Sequence, residues 1–109
     1  MFGGDATLDW TTPAQVLSQS YILSTAGSIV RTYPSFKSAY LFGSYAKGTA
    51  RPSSDVDIVV FAQRFDFVDI GGAHMDLEKA FGKKIDLLVS PPDDFVERIE
   101  KYWMPITLS

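Results

Sequence analysis

The sequence contains no cysteine, which excludes disulfides, thiolate zinc sites and thiol nucleophiles and fits a reducing compartment. Histidine occurs once, at His74, where surface exposure or packing is the simplest reading. No apolar run approaches the roughly 20 residues that a membrane-crossing helix needs. The opening Met1-Phe2-Gly3-Gly4-Asp5 has neither the basic start nor the apolar core of a secretory signal. These absences point to a soluble cytoplasmic protein without a membrane anchor. Positive charge is also scarce. A net charge of -3 disfavours an extended nucleic-acid footprint, which rests on phosphate neutralisation by Lys and Arg. Yet Arg31, Lys37, Lys47 and Arg51 all precede Asp55, and such a small basic region suits a nucleotide.

What is present is an ordinary globular composition, 46% apolar, in 109 residues. That length suits one domain over residues 1–109, able to bury roughly two-thirds of its unfolded surface. Residues 1–11 read as a lead-in pinned by Trp10. Thr12, Pro13 and Gln15 form a helix start, and apolar spacing predicts a helix from Pro13 to Arg31 or Thr32 before Pro34. Ala39-Tyr40-Leu41-Phe42 reads as a buried strand stopped by Gly43. Ser44–Lys47 follows as a helical turn and 48–54 as a loop. Asp55–Ala62 is the second strand.

A helix is predicted from Asp69 to Phe81, its start weakened by Gly71-Gly72 and its end set by Gly82. Lys84–Val89 is the third strand. Asp93–Tyr102 forms a last helix burying Phe95, Ile99 and Tyr102, and Pro105 leaves 106–108 as a tail or short strand. Tyr33, Tyr40, Phe42 and Phe81 read as core, and Lys83-Lys84 as a solvated turn. The expected fold is α/β (α+β): a small mixed sheet flanked by helices.

The chemistry concentrates in Gly43-Ser44, a ten-residue spacer, and Asp55-Val56-Asp57. Strand side chains alternate, so Asp55 and Asp57 share a face, their Cα atoms about 6.5–7 Å apart. Two such carboxylates repel one another unless a cation lies between them, and their oxygens suit Mg²⁺ or Mn²⁺. Asp86 stands between apolar neighbours, where an ionised group is costly without a partner. If its strand lies beside the second, three carboxylates could hold two metals. Gly43 permits close backbone approach to a ligand, and the Ser44 hydroxyl can donate to a phosphate. Lys47 and Arg51 are near enough in sequence to add positive charge. Taken singly, each piece has a plainer reading as a turn, a cap or a solvated edge. Their joint occurrence selects phosphoryl chemistry.

The run from Gly43 to Ile58, with Asp86 in Lys84-Ile85-Asp86-Leu87-Leu88, resembles the signature of the minimal nucleotidyltransferases of the polymerase-β-like superfamily. The resemblance covers about residues 13 to 104. It implies that fold, with Gly43 and Ser44 holding the β- and γ-phosphates and Asp55 and Asp57 binding two Mg²⁺ ions. Asp86 would complete the metal site and help activate the attacking hydroxyl. The implied reaction moves AMP from ATP to a hydroxyl and releases pyrophosphate.

Single-domain members resemble the MntA antitoxins of HEPN/MNT toxin–antitoxin pairs, which implies a HEPN ribonuclease toxin as partner and a tyrosine as acceptor. Two alternatives stand beside this: an antitoxin that acts by binding alone, and a nucleotidyltransferase core for a small molecule or RNA with a separate acceptor-binding subunit. The choice among nucleoside triphosphates and a homo- or hetero-oligomeric state are left open. The missing acceptor-holding domain implies that a partner or a second copy completes the site.

Overall fold

The computed structural model describes residues 15–108, so the expected lead-in, Trp10, Thr12 and Pro13 lie outside the described residues. Helix α1 spans Gln19–Val30, starting later than the sequence suggested. Its cap is Ser18, whose Oγ accepts from the Tyr21 N–H at 3.1 Å, and Gln15 to Ser18 are not helical. Gln19 reaches across the fold, donating from Nε2 to the Tyr45 and Ala46 carbonyls at 2.8 and 3.2 Å.

Strand β1, Phe36–Phe42, begins three residues before the expected Ala39. It runs directly into the short helix α2, Gly43–Lys47. Strand β2 covers Val56–Ala62, leaving Asp55 just ahead of it. Helix α3, Phe67–Phe81, begins two residues before Asp69 because Asp66 caps it, accepting from the Val68 and Asp69 N–H groups. Gly71 and Gly72 therefore lie inside the helix. A Cβ on Gly72 would come within 2.9 Å of the Tyr33 ring, so this glycine lets the ring pack directly on the helix.

Strand β3 is Ile85–Val89 and α4 is Asp93–Ile99. Helix α4 stops short of the expected Tyr102, and it buries none of its residues: Phe95 and Ile99 are half-buried and Tyr102 is exposed. Pro105 sits within a last strand, β4, Met104–Ile106, instead of only ending a helix. It pairs opposite Tyr40 on an edge strand, where a missing N–H disturbs no ladder bond.

The sheet order is β3-β2-β1-β4, with β2 and β3 parallel and the other pairs antiparallel. One face packs on α1 and α3. Val56, Ile58 and Val60 meet Ile22, Ala26, Val30, Ala73 and Leu77 there, all fully buried. Burying each large aliphatic side chain contributes about 1.5–3 kcal/mol. The opposite face carries Tyr40, Phe42, Asp57 and Phe61. Among the described residues it is partly covered, by Trp103 stacked 3.8 Å from the Tyr40 ring and by Phe95 set edge-on to Phe42. Phe42 and Phe81 are buried as expected, whereas Tyr33 and Tyr40 are half-buried.

Candidate active site

Parallel pairing in register sets Asp57 beside Asp86, and antiparallel pairing sets Phe42, the residue before Gly43, opposite Asp57. The β1–α2 turn and both strand carboxylates therefore meet at one point on the open face. At Gly43, φ is +72°, and a Cβ there would stand 2.0 Å from Asp57 Oδ2. A side chain at this position would occupy the space of the carboxylate, so the glycine is required both by the backbone conformation and by the close approach.

Asp57 is half-buried, and its carboxyl is pushed up to about 6. Burial is the largest cause, followed by a hydrogen bond with Asp86 and then by the negative charges of Asp86 and Asp55. Asp55 turns toward Lys84, with Oδ2 4.0 Å from Nζ, an exposed and weak pairing. Among the described residues no three acidic or histidine side chains stand close enough to hold one ion as they are placed. Asp57 and Asp86 do supply adjacent hard oxygen donors whose mutual repulsion a divalent cation would relieve. That donor chemistry fits Mg²⁺, which takes few protein carboxylates and completes its shell with water and phosphate. Asp55 is near enough for its charge to act on Asp57.

A cavity of about 500 Å³ opens at the carboxylate pair. Phe42, Leu88 and Phe95 wall it on the open face, and His74 and Glu78 of α3 on the other. His74 Nε2 lies 2.9 Å from the Ile85 carbonyl and 3.4 Å from Glu78 Oε2, which also accepts, at 3.4 Å, from the Ile85 N–H. Gly43, Ser44, Asp55, Lys47 and Arg51 are not among the cavity walls. Lys47 instead places Nζ 5.3 Å from the centre of the Tyr102 ring, and Arg51 is exposed, its backbone N–H donating to Ser54 Oγ at 2.8 Å.

Sequence reasoning missed His74, Glu78 and Lys84 as wall residues, and it expected Phe95 in the core. The one available signal was the four-residue spacing of His74 and Glu78 on a helix just before the Asp86 strand. Helical spacing shows that two side chains share a face but not what that face meets. Lys84, read as part of a solvated turn, lines the cavity, while Lys83 Nζ donates to the Pro52 carbonyl at 2.7 Å.

Residues 25–101 match the family model described as Polymerase beta, Nucleotidyltransferase. A Methanocaldococcus jannaschii protein named as a protein adenylyltransferase is 38% identical over 53 residues, covering 48% of this chain and 57% of that protein. The chain thus spans little more than half the length of that curated relative. Among solved structures, a toxin–antitoxin complex crystallised with AMP-PNP aligns with a TM-score of 0.65 at 26% identity, over 75% of this chain and 69% of that one. A Shewanella oneidensis complex of tri-AMPylated HEPN toxin with MNT antitoxin aligns with a TM-score of 0.64 over 84% of this chain and 73% of that one. At 21% identity, this second likeness shows the fold alone.

Proposed function

The chain belongs to the polymerase β nucleotidyltransferase family, and on that premise we propose that it transfers AMP from ATP to a protein hydroxyl with Mg²⁺, acting as the antitoxin of a HEPN-type toxin. The observation that carries this reading is the meeting of Asp57 and Asp86 against the Gly43 turn, beside a cavity able to admit an acceptor. The named activity of the adenylyltransferase relative and the AMP-PNP complex of a structural neighbour support the choice of nucleotide.

In the proposed mechanism Gly43 and Ser44 receive the β- and γ-phosphates. The backbone can approach closely at Gly43, and the first N–H groups of α2 have no partner within the helix. Asp57 and Asp86, joined by Asp55, would hold the metal, and Lys47 and Arg51 would add positive charge toward the triphosphate. Bound Mg²⁺ would neutralise the phosphates and polarise the reacting oxygens. The cavity walls hold the acceptor hydroxyl beside Asp86, which takes its proton. The acceptor oxygen bonds to the α-phosphorus, the bond from that phosphorus to the α–β bridging oxygen breaks, and pyrophosphate leaves with the electron pair.

The test is intact-mass analysis of a HEPN-type partner after incubation with this protein, ATP and Mg²⁺. The expected result is the addition of AMP-sized mass, lost in the Asp55→Ala, Asp57→Ala double variant. ATP binding without any mass gain on the partner would overturn the enzymatic reading. Neutralisation of the toxin that survives the double substitution would favour an antitoxin acting by binding alone.

A further inference from the structure

The cavity is lined by four consecutive β3 residues, Ile85, Asp86, Leu87 and Leu88. Successive strand side chains point to opposite faces, so a cavity that touches all four must wrap around the outer edge of the strand. Among the described residues that edge is open, because β3 is the last strand on its side of the sheet. The Val56 N–H donates to the Lys84 carbonyl and the Ser90 N–H to the Val60 carbonyl, which directs the backbone groups of residues 84, 86, 88 and 90 toward β2. By alternation the N–H and C=O of Ile85, Leu87 and Val89 point outward. Side chains of α3 occupy those of Ile85, His74 at the carbonyl and Glu78 at the N–H, much as a neighbouring strand would. No partner among the described residues meets the backbone groups of Leu87 or Val89.

Neither proline nor a bulge blocks this edge between Ile85 and Val89. On the open face α4 contributes Phe95 to the cavity wall and exposes Asp93, Asp94 and Glu97 against one base of its own, Arg98, while the cavity wall itself sets Asp57, Glu78 and Asp86 against Lys84.

We propose that the outer edge of β3 docks the acceptor: an extended, basic-flanked protein segment adds there as a strand, pairing with Leu87 and Val89, and so brings its hydroxyl beside Asp86. This rests on the nucleotidyltransferase reading and specifies what recognises the acceptor. The unpaired backbone groups supply affinity, the apolar walls select a side chain, and the acidic α4 selects charge. A segment paired with β3 would lie about 4.8 Å from it, with alternate side chains on the Asp86 face.

The test uses the peptide Lys-Val-Tyr-Val-Lys as probe, with amide hydrogen exchange followed by NMR. Saturating peptide is expected to slow exchange at Leu87 and Val89 by about tenfold or more. A Glu-flanked version, or one with proline in place of valine, should lose this effect. Leu87→Pro removes one outward N–H without touching the β2–β3 ladder, so it should bind the probe about tenfold more weakly than Leu87→Ala, which keeps the N–H. Unchanged exchange at Leu87 and Val89, or equal binding by the two variants, overturns the proposal. If these amides are protected yet AMP never reaches the peptide hydroxyl, the docking edge stands and the transferase reading fails. If AMP is transferred to peptide or RNA with no difference between Leu87→Pro and Leu87→Ala, the docking edge fails and the transferase reading stands.

Discussion

The two faces of the β2 strand divide the molecule. Val56, Ile58 and Val60 point into a closed core between the sheet and helices α1 and α3, while Asp57 points to the face on which, among the described residues, Trp103 and Phe95 pack. Neighbouring residues thus experience opposite environments. On the closed face, burial stabilises the fold. On the open face, half-burial beside Asp86 raises the energy of the ionised Asp57. One face supplies the rigidity against which the other can hold like charges together.

Substitutions on each face should separate these roles. The largest expected effect is on transfer: Asp57→Ala with Asp86→Ala should lower the rate of AMP transfer by about 10³-fold or more, measured with labelled ATP, while the melting temperature is kept or raised. A parallel fall in melting temperature would break the division. The converse change, Ile58→Ala, should cost about 2–5 kcal/mol in denaturant unfolding, because it empties a fully buried site. Gly43→Ala sits on the boundary between the faces. Its strained φ and its collision with Asp57 should cost about 1–3 kcal/mol and impair transfer as well.

The smallest expected effect is a pH dependence. Because the folded pKa of Asp57 is raised, folding favours its protonated form. The resulting stability is fully present below the unfolded value near 3.8 and is lost as pH rises through about 6. Asp57→Asn should therefore stabilise the metal-free protein relative to wild type by about 1 kcal/mol more at pH 7 than at pH 4, a figure discounted because half the group faces solvent. Unfolding curves at the two pH values check it, and a difference of the opposite sign would contradict the electrostatic account. Added Mg²⁺ should shrink the gap by stabilising the ionised wild type.

Legibility in the sequence followed the range of the interaction that set each feature. The Val56–Ala62 strand, the Gly43 stop and the Gly82 helix end rest on local propensity and backbone conformation, and the sequence showed them plainly. The start of α1 was misplaced because Ser18 competes as a cap and Gln19 is drawn to the Tyr45 and Ala46 carbonyls, a contact 26 residues distant for Tyr45. The end of α4 and the role of Pro105 were misread because pairing with β1 draws 104–106 into the sheet. His74 and Glu78 went unrecognised since their meaning comes from Ile85 on another element.

The sequence by itself determined the family signature: Gly43-Ser44, its spacer, and Asp55, Asp57 and Asp86, since covalent spacing and strand alternation specify which side chains can share a face. Only the tertiary structure decided that Asp57 and Asp86 stand side by side while Asp55 lies 4.0 Å from Lys84, and that the cavity wraps the outer edge of β3. Strand order and register are settled by packing between distant segments, and no local pattern contains them.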